Sequence, residues 1–382
     1  MRFALLLLVL AGSAQAEWRV ARPGWEYQFP RDHGSHPEFK TEWWYFTGNL
    51  TAKDGRAFGY QLTFFRQGIQ SGDEGVIPLS RFVIRDVKFA HFTVSDLSAG
   101  KFHFFQKLSR GAYDEAGFGV ATSVSPALHK VLNPPSESNL PAKPLAWIAD
   151  WTCELAGENS FRLRAAKDDV SLDLRLTSAK PPLVHGRNGI SRKAADDGSA
   201  SHYYSLTRLA SEGLLRIGSE EFSVHGQSWF DHEWSTNQLA EDQVGWDWFS
   251  LQFDDGSELM LFQIRTKEGG RDRFSSGTFL DAKGTATEIS EADFTLDPGT
   301  IWQSPQSGGR YPTTWKIAIP RLDLKLDVRA ALNDQELRLK PVVYWEGSVR
   351  ATGTIHGQTL KASGYLEMTG YLGPIAGMQS GR

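Results

Sequence analysis

Alternation of apolar and polar residues with a period of two recurs along this chain, and it predicts strands. Phe249, Leu251 and Phe253 alternate with Ser250 and Gln252. Asp254-Asp255-Gly256-Ser257 then turns the chain, and an apolar run over residues 259–264 returns. An Asp-Gly pair between two such runs signals a β-hairpin. Phe58, Tyr60, Leu62 and Phe64 alternate in the same way with Gly59, Gln61 and Thr63. Shorter runs of this kind cover residues 82–95, 101–106, 146–155, 160–165, 170–177, 203–209, 214–217 and 221–225, and strands continue to the closing stretch 364–371. Residues 17–40 read as an irregular, polar lead-in. Residues 120–145, rich in Ser, Pro and Asn, read as a long surface connection or a lid. No long run carries a helical period, so the chain is expected to be all-β.

The hairpins of residues 43–66 and 246–265 look like copies. Trp43-Trp44-Tyr45-Phe46-Thr47-Gly48-Asn49-Leu50 aligns without a gap on Trp246-Asp247-Trp248-Phe249-Ser250-Leu251-Gln252-Phe253. Asp54-Gly55 then answers Asp255-Gly256, and the return strands end at Arg66 and Arg265. The first copy is longer by two residues on each arm, which preserves the facing of every side chain. With 382 residues to distribute, this repeat predicts two related β-domains in tandem, residues 17–225 and 226–382.

Composition narrows the class. Thirteen Trp and 37 Gly suit many strands joined by Gly turns. Residues 1–16 open with Arg2, continue through a short apolar run and end on Ala14-Gln15-Ala16, the pattern of a secretory signal peptide cleaved near Ala16. The expected product is periplasmic or secreted, with no membrane-spanning segment in the mature chain. The single cysteine, Cys153, has no partner for an internal disulfide. The net charge of −4 comes without a basic patch, which excludes nucleic acid as a partner.

Candidate chemistry concentrates at Asp231-His232-Glu233, between Trp229 and Trp234 and just before Trp246 and Trp248. Two carboxylates beside a histidine could supply a general acid and base, and aromatic neighbours could form the wall of a ligand pocket. On a strand, however, Asp231 and Glu233 share one face, and His232 takes the other with Phe230 and Trp234. Trp43, Trp44 and Tyr45 form a second candidate wall. There the adjacent tryptophans must point to opposite faces, one into a core and one outward. His232-Glu233 starts like a zinc-protease motif, but Thr236 stands where the second histidine belongs. His33 and His36, near Asp32 and Glu38, are the remaining candidates for a metal, and no metal is expected. Gly226-Gln227-Ser228-Trp229-Phe230 lacks the second glycine of a nucleophile elbow.

Four motifs in order resemble the AttH-like, carotenoid-hydratase-related family. They are Lys40-Thr41-Glu42-Trp43-Trp44-Tyr45-Phe46-Thr47-Gly48, Trp229-Phe230-Asp231-His232-Glu233-Trp234-Ser235-Thr236, Gly245-Trp246-Asp247-Trp248-Phe249-Ser250 and residues 364–371. The resemblance implies two lipocalin-like β-barrels and either of two roles. The first is a carrier of a lipophilic small molecule, accessory to an ABC-type permease. The second is a cofactor-independent hydratase or hydrolase acting on an isoprenoid-like substrate through Asp231, His232 and Glu233. The hydratases' Asp-His-x-Trp pattern matches at His232 and Trp234. Their Tyr-x-Asp acid does not appear in Glu258-Leu259-Met260-Leu261-Phe262-Gln263. The sequence therefore favours the carrier, with Trp43, Trp44, Tyr45, Trp229, Trp234, Trp246 and Trp248 lining its pocket.

Overall fold

A computed structural model describes residues 17–71, 83–119, 144–196, 198–339 and 342–373. The leader, and the connection read as a lid up to residue 143, lie outside the described residues. The described chain is all-β, and its only helical pieces are four three-residue 3-10 turns. None of its helices is long and apolar enough to cross a membrane.

The first unit contributes β1 (Thr41–Ala52), β2 (Ala57–Gly68), β3 (Asp86–Asp96), β4 (Lys101–Ser109), β5 (Ala116–Phe118), β6 (Ala146–Ile148), β7 (Trp151–Gly157), β8 (Ser160–Lys167), β9 (Val170–Ser178), β10 (Leu183–Val184), β11 (Ser191–Arg192), β12 (Ala200–Ile217) and β13 (Glu220–Ser235). The path β4-β3-β2-β1-β13-β12-β9-β8-β7-β6-β5 curls into a nearly closed barrel, and β10 and β11 pair with β12. The second unit holds β14 (Gln243–Phe253), β15 (Glu258–Thr266), β16 (Ser276–Leu280), β17 (Ala286–Ser290) and β18 (Thr295–Pro298). A separate ribbon of β19 (Ile301–Gln303) and β20 (Arg310–Pro312) follows, then β21 (Thr314–Ile319), β22 (Leu324–Ala330), β23 (Glu336–Arg338), β24 (Val343–Ile355) and β25 (Gln358–Met368). Its order β17-β16-β15-β14-β25-β24-β22-β21-β18 makes a half-barrel, with β23 on β24.

The hairpin repeat is real in three dimensions. In each unit the first strand pairs with the second on one side and with the last on the other: β2-β1-β13 and β15-β14-β25. The turns match as well. Gly55 and Gly256 have φ of 88° and 87°, a left-handed conformation that a side chain would strain.

The two units exchange later than residue 225. That position falls inside β13, which is hydrogen-bonded along its length to β1 and β12, so the first sheet runs on to Ser235 and the second begins at Gln243. The lead-in also differs from a plain polar entry. Trp25, Tyr27 and Phe29 pack against the core of the first barrel, and Phe39 belongs to it.

Each barrel has its own apolar core, and a third cluster lies between them, built on Tyr45, Tyr203, Trp229, Trp248, Met260 and Phe262. Polar bridges cross the same seam. Gln252 Nε2 donates to the carbonyls of Thr207 (2.8 Å) and Ser228 (2.9 Å). His91 Nδ1 lies 2.7 Å from Tyr344 Oη, and Lys180 and Arg208 both hold the buried Glu258. The cleft described next opens in this seam.

Candidate active site

Alternation along β13 divides the Asp231-His232-Glu233 triplet. Trp229, Asp231 and Glu233 face the second unit, while Phe230, His232 and Trp234 face the core of the first barrel. Alternation along β1 likewise sends Trp43 and Tyr45 to the seam and Trp44 into the core. The outward face meets Trp246 and Trp248 from β14, Phe262 and Ile264 from β15, Glu346 from β24 and Glu367 from β25. Phe65, Tyr203, Lys193, Gln238 and Leu239 complete the lining of this cleft. Of the residues the sequence pointed to, Trp43, Tyr45, Asp231, Glu233, Trp246 and Trp248 line this cleft. Trp229 touches it through Asp231. Trp44, His232 and Trp234 do not reach it, because a two-residue period cannot aim neighbouring side chains at one cavity.

Asp231 is the most heavily hydrogen-bonded group of the cleft. Tyr203 Oη (2.6 Å), Trp229 Nε1 (2.6 Å) and the Ser205 hydroxyl all donate to it. Burial pushes its pKa up to about 7, the three donors restrain that rise, and Glu233 adds to it. Behind Ser205 stands His185, whose Nε2 lies 2.7 Å from the Ser205 Oγ and whose Nδ1 lies 2.9 Å from Thr278 Oγ1. Burial, aided by the Lys193 charge, depresses His185 to about 3, so this relay is neutral at physiological pH. Tyr203 in turn accepts a hydrogen bond from Trp248 Nε1 (3.2 Å). One of the four lone-pair sites of Asp231 remains free to face a ligand.

Glu346 and Glu367, across the seam, were not singled out in the sequence. Glu346 is buried, and no basic side chain pairs with it among the described residues; its polar neighbours are the Tyr45 and Tyr344 hydroxyls. Burial lifts its pKa well above the usual carboxylate range and the Glu367 charge reinforces this, with the Tyr45 and Tyr344 hydroxyls opposing. Glu367 accepts from Trp246 Nε1 (3.0 Å); burial first, then Asp231 and Glu233, place it at about 7. Glu233 pairs with Lys193 Nζ at 3.3 Å and accepts from Ser201. The cleft thus offers a protonated acid, an anion-ready carboxylate and one ammonium between aromatic walls. A signal for Glu346 does exist in the sequence: a lone acid in the apolar run Val342-Val343-Tyr344-Trp345-Glu346-Gly347-Ser348-Val349.

The inward-facing residues build something else. Glu42 Oε1 lies 2.8 Å from His36 Nδ1 and 3.0 Å from His232 Nε2, and Glu42 Oε2 lies 3.2 Å from Arg66 Nε. His36 stacks on Trp234 at 3.7 Å and reaches Asp32 at 3.2 Å. His36, Glu42 and His232 offer donor atoms within 4.8 Å of one another. Both histidines spend these donor atoms on the one Glu42 carboxylate, and Arg66 supplies the balancing charge. The cluster fastens the lead-in to the barrel. Burial opposes ionisation of Glu42, but His232, His36 and Arg66 outweigh it and hold the carboxylate well below its usual range. Glu42→Gln breaks a buried ion network and is expected to cost about 3–5 kcal/mol of unfolding free energy. Urea denaturation measures it; a loss under ~1 kcal/mol would show that the network does not anchor the fold.

Fold and site together define a protein of two lipocalin-like barrels with an acid-lined aromatic cleft between them. The chain belongs to the AttH-like family, whose model matches residues 20–371. A crystal structure of a candidate AttH from Nitrosomonas europaea is similar over 92% of this chain and 99% of its own, with 31% identity and a TM-score of 0.78. Kievitone hydratase from Nectria haematococca shares the fold over 90% of this chain and 92% of its own, at 14% identity and a TM-score of 0.64. Dehydratase asqC of Emericella nidulans is 24% identical over 222 residues, which span 55% of this chain and 61% of that protein.

Proposed function

We propose that this protein is a hydro-lyase, adding water to or removing it from a lipophilic substrate held in the cleft between the barrels. The observation that carries this reading is Glu346, a buried carboxylic acid among aromatic walls with only tyrosine hydroxyls, and no cation, to balance a charge on it. A carboxyl group that keeps its proton at neutral pH can deliver it to a leaving hydroxyl or to an alkene carbon. Asp231, poised by three donors, takes the opposite proton. In dehydration, Asp231 accepts a proton from carbon and Glu346 protonates the departing hydroxyl, which leaves as water. Hydration runs the same steps backwards. Two relatives named as a dehydratase and a hydratase point the same way. A carrier would account for the aromatic walls but not for four carboxylates and an ammonium gathered in them. Export rests on the pattern of residues 1–16 alone, and an ABC-type permease partner rests on the family resemblance alone.

The test is incubation of purified protein with a panel of apolar alkenes and alcohols in oxygen-isotope-labelled water. Mass spectrometry should detect label entering product, and Asp231→Asn should lower the rate by at least about a hundredfold. Tight ligand binding without any label transfer across the panel, in wild type and variant alike, would return the carrier reading to first place.

A further inference from the structure

Lys193 is the one basic side chain among the described residues lining the cleft, and the acid–base pair leaves it without a role. It lies between β11 and β12, and its backbone is held at both ends: its N–H donates to Ser199 (2.8 Å) and its carbonyl accepts from Gln243 (2.8 Å). Its side chain is 11% exposed. The ammonium sits 4.2 Å from the centre of the Phe262 ring and 5.6 Å from that of Tyr203, with Glu233 as its ion-pair partner among the described residues. An ammonium has three donors, and this pairing leaves donors to spare on the cleft side. A lysine desolvated against aromatic rings is costly to keep, and it is well suited to hold an acceptor oxygen.

We infer that the substrate carries a carbonyl oxygen conjugated to the carbon pair where water is added or lost, and that Lys193 binds this oxygen. The inference rests on the hydro-lyase reading and names its substrate class. The sign of the charge decides the course of the reaction. In a low-dielectric cleft a fixed ammonium raises the energy of a carbocation and lowers that of an oxyanion. A ligand with its own carboxylate would face the carboxyl groups of Asp231, Glu233 and Glu367 against one lysine that Glu233 already pairs, so a neutral carbonyl compound fits better. The steps balance without an oxidant. Asp231 takes the proton from the carbon next to the carbonyl, and the C–H electron pair moves to an enolate whose oxygen lies on Lys193. The enolate then re-forms the carbonyl while the C=C bond forms and the β C–O bond breaks. The departing oxygen takes the Glu346 proton and leaves as water.

The probes are a matched pair: benzylideneacetone, a conjugated ketone, and trans-phenylbutene, in which a methylene replaces the carbonyl. Equilibrium dialysis against wild-type protein should show the ketone binding about tenfold more tightly, the worth of one charged hydrogen bond. Its ultraviolet band should shift to the red as the ammonium polarises the carbonyl. Both effects should vanish in Lys193→Met and survive in Lys193→Arg. The double variant Lys193→Met/Glu233→Gln removes the pair together, leaves no lone buried charge, and should behave as Lys193→Met does. Equal affinity of wild type for the two probes overturns the inference, as does a preference that persists in a folded Lys193→Met or double variant. A Lys193-dependent preference without conversion of the ketone to its β-hydroxy ketone upholds the oxygen site and counts against the hydro-lyase reading alone.

Discussion

Glu346→Gln is expected to lower turnover by about a hundred- to ten-thousand-fold, the range for loss of a positioned general acid. The same substitution should leave the protein as stable at pH 7 as before, or more so. The pKa of Glu346 is raised by burial. The folded state therefore keeps a proton that the unfolded state releases once pH exceeds the ordinary glutamate value. A group raised in this way subtracts stability as pH rises, and at pH 7 that penalty is in force. Glutamine has nearly the same shape and cannot ionise, so it removes the penalty along with the acid. Lost activity with retained stability is the signature of a catalytic group, whereas a structural one loses both. Steady-state kinetics and urea denaturation of one preparation read the two quantities. Turnover within tenfold of wild type would show that another group donates the proton. A clear drop in the urea midpoint would show that Glu346 is held as a structural partner.

Much of this is legible in the sequence, because strand periodicity is a geometric rule. The hairpin repeat required two related units, and the sheets deliver them with the same strand order around each hairpin. The alternation rule separated Asp231 and Glu233 from His232 and separated Trp43 from Trp44, and the structure keeps both divisions. What the sequence could not supply was the partner across the seam. Glu346 and Glu367 line the same cleft as Asp231 only because β25 closes onto β14 and carries β24 beside it, a pairing that spans more than a hundred residues. Lys193 arrives from an irregular stretch where no periodicity aims a side chain. The absence of Tyr-x-Asp after Glu258 looked like the loss of an acid, since strand β15 was the one place the resemblance directed attention. The cleft carries its protonated acid on β24 instead. The core histidines were equally hidden: His33 and His36 lie in a segment that reads as polar lead-in, and only folding it onto the barrel brings them to His232 and Tyr204.

The buried titratable groups predict an unusual stability profile: nearly level from pH 7 to about 5, then steeply falling. Burial holds His91 and His185 at about 3, and His33 and His202 at about 4. An unfolded histidine titrates near 6.5. As pH falls through that value each of the four takes up a proton only by unfolding, so each removes stability. Asp231 and Glu367, raised to about 7, and Glu346, raised well above the usual carboxylate range, act in the opposite sense. They hold protons in the fold that the unfolded chain has lost, and so they add stability as pH drops from 7 toward 5. His232, also lowered, adds a proton to the first side, and His36 and Asp247, both raised, add two to the second, so the two sides nearly cancel between pH 7 and 5. Below about pH 5 the unfolded carboxylates bind protons too, and the compensation fades. Glu42 and Asp32, held ionised by their histidine and arginine partners, then also gain protons on unfolding. The imbalance grows to roughly three protons, about 4 kcal/mol per pH unit. Urea midpoints measured from pH 8 to pH 3.5 should therefore trace a plateau and a cliff. In Glu346→Gln one compensating proton is missing, and the slope between pH 7 and 5 should steepen by about 1.4 kcal/mol per unit. A decline in the wild type that already begins steeply at pH 6.5 would mean that the three acids of the cleft are ionised in the fold, and Glu346 would then have no proton to give.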